Sequence, residues 1–288
     1  MKKGRIIKLI GGLYTVVDEF HQTKVVKPRG IFRHWKLEPK VGDYVMFDDD
    51  TIHELLPRVN DLTRPSICNV DQALLISSSV QPDFSSLLLD KFLALVEFNH
   101  ILPIIVITKI DLLEKSQLID LKSRLEYYQK YYKVIFFSTK TTEGLEEIKQ
   151  VINDKVNVLT GQTGAGKSSL LNTIDPSLDI ETNEISLALG RGKHTTRHVE
   201  LIPLENGWIA DTPGFSKLEF YDMKDFQLKD SFPDLFQLGS NCRFNGCLHL
   251  SEPDCAVKQA VDEGHLPKER YQNYIKLLEE IRLYKKKY

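Results

Sequence analysis

The chain is poor in cysteine. Four in 288 residues, Cys68, Cys242, Cys247 and Cys255, are too few and too clustered for a disulfide scaffold. They point to metal binding or to plain burial. A long apolar run is also missing. The strongest, Ile101 to Ile107, is broken by Pro103 and falls far short of the roughly 20 residues a bilayer requires, so no membrane span is expected. The opening residues do not read as a secretory leader, because Lys8 and Gly11-Gly12 interrupt their apolar stretch; the cytoplasm is the expected compartment. Nor is there an excess of one charge. Lys and Arg number 38 against 40 Asp and Glu, so a nucleic-acid partner must be met by a local basic patch. Internal repeats and low-complexity tracts are absent as well. What is present, 42% hydrophobic and 27% charged residues, describes a chain able to bury a real core in two or three domains.

Three textures follow one another. Residues 1 to about 62 carry short strand-like stretches, "GRIIKLIG", "LYTVVDEF", "TKVVKPRG" and "VGDYVMFDDD", punctuated by Gly, Pro and Asp. This reads as a small all-β barrel or sandwich. From about Val70 the pattern becomes strand, helix, strand: "QALLISSSV", then the amphipathic "FSSLLLDKFLALVEFNH", then "LPIIVITK". Such alternation predicts an α/β unit with a mainly parallel sheet. The end of the chain holds a Cys/His cluster and a helical tail in which Tyr271, Tyr274, Ile275, Leu278 and Ile281 share one face. Its Lys285 to Lys287 run suits a solvated helix C-terminus. The boundaries expected are 1–64, 65–220 and 221–288.

"VNVLTGQTGAGKSSLLNTI" fits a phosphate-binding loop between a strand and a helix. Backbone N–H groups of Gly161, Gln162, Thr163, Gly164, Ala165 and Gly166 form the expected cradle, Lys167 reaches the β/γ-phosphates, and Ser168 ligates Mg²⁺ with Ser169 beside it. Downstream, "DTPG" supplies Asp211 for the Mg²⁺ shell and the Gly214 N–H for a γ-phosphate. Upstream, "VITKID" sets Thr108, Lys109, Ile110 and Asp111 at the end of a buried strand, resembling the NKxD element of regulatory GTPases. Asp111 then accepts two hydrogen bonds from guanine, which adenine cannot offer, while Lys109 lies along the base. Ser138, Thr139 and Lys140 resemble the SAK element behind the base. Both base-reading pieces precede the phosphate loop, the motif order of a circularly permuted GTPase. The permutation costs little, because these pieces meet at one edge of a parallel sheet. Residues 141–155 are the expected helical joint.

"NCRFNGCLHLSEPDC" spaces Cys242, Cys247, His249 and Cys255 by four, one and five residues. Three thiolates and an imidazole are a structural Zn²⁺ set. Cys68 lies outside it and reads as a small buried hydrophobe. "HQTKVVKPRGIFRHWK" interleaves Lys24, Lys27, Arg29, Arg33 and Lys36 with Phe32 and Trp35 and contains no acid. This strip suits phosphate contacts with stacking, or equally a solvated loop over core aromatics.

Taken in order, the motifs and the metal spacing resemble the bacterial ribosome small-subunit-dependent GTPase A family over nearly the whole chain. The resemblance implies an OB-like N-terminal barrel that contacts rRNA, a permuted P-loop GTPase, and a C-terminal zinc module with a helix. It further implies binding of GTP and GDP, docking of a monomer on the 30S subunit and its 16S rRNA, and a role late in subunit maturation with subunit-stimulated hydrolysis. In "GRGKHTTRHVEL", Thr195 or Thr196, with Thr196 preferred, is the expected Mg²⁺- and γ-phosphate-sensing switch residue. Phe215 stands where Ras-like enzymes carry the water-orienting Gln, so unaided hydrolysis is expected to be slow. The resemblance gives that role to His194, making His194, Lys167 and Thr196 the catalytic set. Thr108 in place of the family's Asn is expected to weaken the tie between the base-reading and phosphate loops.

Two other readings fit the same letters: an RNA-binding scaffold whose nucleotide site is structural, and an ATP-using P-loop enzyme. Turnover with and without 30S subunits separates the first from the hydrolase reading, competition of GTP against ATP settles the second, and Asp111→Asn tests the base contact. The expected outcome is a shift of nucleotide preference from guanine toward xanthine in competition binding; unaltered selectivity would show that Asp111 does not read the base.

Overall fold

The structure, a computed structural model, describes residues 1–35, 37–63, 65–180, 199–211, 220 and 223–285. Five strands open the chain: β1 (Lys2–Ile10), β2 (Leu13–Asp18), β3 (Thr23–Pro28), β4 (Tyr44–Phe47) and β5 (Thr51–Leu55), with a short helix α1 (Ile31–His34) after β3. They run β1-β2-β3-β5-β4, and β4 returns to pair with β1, which closes a barrel. Closure removes the sheet edges, and alternate residues such as Ile6, Val16, Val45, Phe47 and Ile52 fill the interior. Gly4 is required there: a Cβ would sit 2.5 Å from a Val16 methyl and 2.7 Å from the Phe47 ring.

A two-stranded ribbon, β6 (Asp61–Leu62) with β7 (Ile67–Cys68), leads out of the barrel. Cys68 is buried as expected, though as more than a hydrophobe: its thiol donates to Asp43 Oδ1 at 3.1 Å. Arg58 grips the same carboxylate through Nε and Nη2, each at 2.7 Å.

The middle of the chain alternates β8 (Gln72–Ser78), α2 (Ser86–Phe98), β9 (Leu102–Thr108), α3 (Lys115–Gln129), β10 (Lys133–Phe136), α4 (Leu145–Ile152), β11 (Val156–Gly161) and α5 (Lys167–Ile174), followed by β12 (Glu200–Leu204) and β13 (Gly207–Asp211). Strands β10, β9, β8, β11 and β13 lie side by side and parallel. They are covered by helices, so they read as near-continuous apolar runs. The expected helical joint between the SAK-like and phosphate-loop segments is α4. Antiparallel β12 edges this sheet and also pairs with β1 through Lys8 and Glu200, whose side chains bond at 2.7 Å. Barrel and α/β unit therefore share one eleven-stranded sheet.

The C-terminal part is helical: α6 (Asp225–Asp230), α7 (Pro233–Gly239), α8 (Ala256–Asp262) and α9 (Lys268–Lys285). The apolar face read from the sequence is the one α9 buries, with Tyr274, Leu278 and Ile281 in the core and Tyr271 and Ile275 packed at its margin. The same helix also buries charge. Arg270 is 3% exposed and lies between Asp90 of α2 and Asp234 of α7; Nε and Nη2 donate to Asp234 at 3.0 and 3.1 Å, and Nη1 donates to Asp90. The Phe232 ring lies 4.3 Å from the guanidinium carbon. Tyr127 and Tyr128 of α3 complete the acids' hydrogen bonds at 3.1 and 2.8 Å. Removing one partner of such a buried pair strands the other, which typically costs about 3–5 kcal/mol. Asp234→Ala is therefore expected to lower unfolding stability by about 3 kcal/mol in urea titration; a change under about 0.5 kcal/mol, the size of an ordinary surface substitution, would contradict this assignment.

Candidate nucleotide site and metal centre

Because five strands run parallel, the segments that follow them leave from one edge. The Thr108–Asp111 segment follows β9, Ser138 follows β10, the phosphate loop follows β11, and Asp211 ends β13. Register aligns them through β8, where Ile76 pairs with both Val106 of β9 and Gly161 of β11.

The phosphate loop needs its glycines. Gly161 has φ of 140° and lies so close to β8 that a Cβ would fall 2.1 Å from the Ile76 carbonyl oxygen. Gly166, at φ 94°, turns the chain into α5. Gln162, Thr163 and Gly164 are exposed, Ala165 is buried, and Lys167, Ser168 and Ser169 are half-buried. Lys167 Nζ donates to the carbonyls of Gly161 and Gln162 at 2.7 and 2.8 Å. Burial lowers its pKa to about 8. A phosphate among these groups would restore the charged form by direct attraction. Ser168 Oγ has no hydrogen-bond partner among the described residues and is free to act as a ligand.

The segment expected to read the base is tied to this loop directly. Thr108 Oγ1 donates to the Ala165 carbonyl at 2.6 Å. Thr108, where the family carries Asn, thus makes one direct bond between the two loops. Lys109, in the left-handed region at φ 61°, sends its ammonium to the Gly164 carbonyl at 2.8 Å and to that of Gln81. Ile110 is buried and anchors the turn. Asp111 is half-buried and has no hydrogen bond or ion pair with any described residue, which leaves both carboxylate oxygens available. Ser138 is buried, and its hydroxyl accepts from the N–H groups of Lys140 and Thr141, each at 3.1 Å. This shapes the turn that presents exposed Thr139 and Lys140. Sequence reading passed over a third neighbour, the loop after β8. Ser79 Oγ donates to the Lys109 carbonyl at 3.0 Å, and Pro82 Cδ lies 3.6 Å from where a Gly164 Cβ would be. Its signal was its position, since it follows another parallel strand at the same edge.

His194, Thr195, Thr196, Gly214 and Phe215 lie outside the described residues, as do the Lys286–Lys287 end of the tail and Lys36. For Asp211 and Arg33 the backbone alone is described.

Of the basic strip, Lys27 and Arg29 are exposed, while Lys24 is paired with Asp49 of the β4–β5 turn. Phe32 is 2% exposed, inside the barrel core; Trp35 is 54% exposed. Any stacking by this strip falls to Trp35.

Cys242, Cys247, His249 and Cys255 bring one ligand atom each to within 4.8 Å of one another. His249 Nδ1 faces the sulfurs of Cys242 and Cys255 at 3.6 and 3.4 Å. Burial lowers the His249 pKa to about 4 and raises that of Cys247 to about 12. The first shift leaves the imidazole neutral, as a ligand must be; the second means that a cation at the centre would be needed to hold Cys247 as a thiolate. The donor set therefore fits a metal. Its backbone is pinned from outside: the Glu252 carboxylate accepts from Leu248 and Leu250 N–H at 2.8 and 2.7 Å, and Tyr271 and Tyr274 donate to the His249 and Leu248 carbonyls at 2.6 and 2.9 Å.

Comparison with known proteins agrees with this architecture. Residues 55–221 match the family profile for the RsgA GTPase and residues 3–54 that for the RsgA N-terminal domain. The small ribosomal subunit biogenesis GTPase RsgA of Bacillus subtilis is 50% identical over 298 residues, covering all of both chains. RsgA 2 of Oceanobacillus iheyensis is 50% identical over 294 residues, again covering all of both chains. Among solved structures, YloQ, described as a circularly permuted GTPase, superposes with a TM-score of 0.84 at 45% identity, covering 98% of this chain and 95% of its own. YjeQ from Thermotoga maritima gives 0.86 at 35% identity, covering 97% and 98%. The chain therefore belongs to the RsgA GTPase family and is a GTP hydrolase whose motifs stand in permuted order.

Proposed function

We propose that this GTPase binds the small ribosomal subunit, acts late in its maturation, and hydrolyses GTP faster when docked there. The relatives' names, small ribosomal subunit biogenesis GTPases, support the partner. The observation that carries the nucleotide chemistry is the juncture of Thr108–Asp111 with the phosphate loop, held by the 2.6 Å Thr108–Ala165 bond. On this reading Asp111 receives the guanine N1–H and amino group, Lys109 lies along the base, and Ser138 to Lys140 back it. N–H groups of Gly161 to Gly166 and the Lys167 ammonium bind the phosphates, joined by Gly214. Ser168, Thr196 and Asp211 would hold Mg²⁺, which when bound neutralises charge building on the β/γ-phosphates. His194 positions the attacking water in place of the missing Gln. The barrel, taken as residues 1–64, offers Lys27, Arg29, Arg33, Lys36 and, once released from Asp49, Lys24 to rRNA phosphates. Residues 65–220 and 221–288 make up the GTPase and metal modules.

Phosphate release measured with and without 30S subunits tests this directly. Stimulation of about 10²-fold or more is expected, the scale of a positioned water-activating group, and it should be lost in His194→Ala. Equal turnover with and without subunits would favour a scaffold with a structural nucleotide site; full stimulation of His194→Ala would remove that residue from the role.

The C-terminal cluster is read as one structural Zn²⁺, since four protein ligands leave no open position. Elemental analysis should find one zinc per chain. A strong chelator should remove it and lower the melting temperature; chelation without any change in melting would contradict a structural metal.

A further inference from the structure

Helix α2 begins beside the nucleotide edge and is held at its first two turns by the C-terminal helix. At its leading end, the loop joining β8 to α2 supports Lys109 twice: Ser79 Oγ donates to the Lys109 carbonyl at 3.0 Å, and the Gln81 carbonyl accepts from the Lys109 ammonium. Ser79 N–H also donates to the Thr108 carbonyl at 3.1 Å, continuing the sheet pairing one residue past β8. Five residues beyond Gln81 the helix is under way, capped by Ser85. There Asn273 of α9 donates from Nδ2 to Ser86 Oγ at 3.0 Å and to Asp90 Oδ2 at 2.7 Å. The Ser86 hydroxyl in turn donates to Glu269 Oε1, also on α9, at 2.5 Å. Ser86, Asp90 and Asn273 are all buried. A buried amide bonded to a hydroxyl and a carboxylate on one turn fixes the azimuth of that turn as well as its distance, because both acceptors must be met at once.

We propose that Asn273 is a positioning residue of the nucleotide site. By clamping Ser86 and Asp90 it sets the pose of the first turns of α2, and with it the Ser79–Gln81 segment that holds Lys109 across the base. Asn273 touches neither nucleotide nor metal. The inference rests on the reading of Lys109 and Asp111 as base contacts, and the experiment below keeps the two apart.

The measurement is GDP affinity and 30S-stimulated turnover of the full-length, metal-loaded protein. Asn273→Ala should weaken GDP binding about tenfold, the effect of one buried hydrogen bond felt at the site, with kcat at saturating GTP within about twofold of the parent. Ser86→Ala, a milder change on the other side of the clamp, should move affinity in the same direction by less. Arg282→Ala, on the same helix but bonded to Asp225 of α6 at 2.7 Å, should leave affinity unchanged. A double-mutant cycle supplies the decisive readout. If Asn273 acts through the lysine's pose, Asn273→Ala adds no loss in a Lys109→Ala background; a merely structural effect adds in full. Additive losses, or parental affinity in both clamp variants while metal content and cooperative melting are retained, overturn the proposal. If Lys109→Ala and Asp111→Asn themselves leave GDP binding unchanged, the underlying reading of the site has failed instead.

Discussion

The hydrogen bond from Thr108 to the Ala165 carbonyl joins two segments 57 residues apart, and the proposed nucleotide site depends on it. It places the strand end proposed to read the base against the loop proposed to grip the phosphates. That contact is possible because β9, β8 and β11 are parallel and adjacent, so their following segments emerge together whatever their order in the chain. A permutation rewires connections on the far edge and leaves this edge intact. Circular order is thus a matter of which loops are long, while the chemistry follows strand direction.

The second organising feature is the polar knot beneath the C-terminal helix. Arg270, Asp90, Asp234, Asn273, Ser86 and two tyrosines hydrogen-bond to one another, most of them buried. An apolar interface of the same size would tolerate sliding between the helices. Paired charges and amides do not, since each small displacement leaves a buried group unpaired. The same α9 also bonds, through Tyr271 and Tyr274, to the loop carrying His249. The C-terminal helix therefore links the cysteine–histidine loop to the first turns of α2 by direct hydrogen bonds.

Much of this could be read from the letters. The apolar runs of β8, β9 and β11, the glycine spacing of the phosphate loop, the permuted motif order and the four metal-site residues all have local signatures that survive without tertiary knowledge. The α9 core face was legible from helical period. Other features were not, for physical reasons. Arg270 and Asn273 lie on the polar-looking side of that period, and nothing local distinguishes a buried arginine from a solvated one until the acids facing it are placed. Phe32 fits stacking or a core position equally well within a basic strip, and its burial decides for the core. Lys24 looks free in a strip without acids; its partner Asp49 comes from a neighbouring turn. The Thr108 bond to Ala165 could not be read from the letters because the hydroxyl's reach is a matter of strand register.

The central claim is spatial: one GTP spans the Asp111 carboxylate and the Lys167 ammonium. A crystal structure with Mg²⁺ and a non-hydrolysable GTP analogue measures it most directly. The account predicts the guanine N1 and amino nitrogens within hydrogen-bond distance of Asp111 while Lys167 leaves the Gly161 and Gln162 carbonyls for the β- and γ-phosphate oxygens. A nucleotide whose phosphates occupy the loop while its base lies away from Asp111 would contradict it.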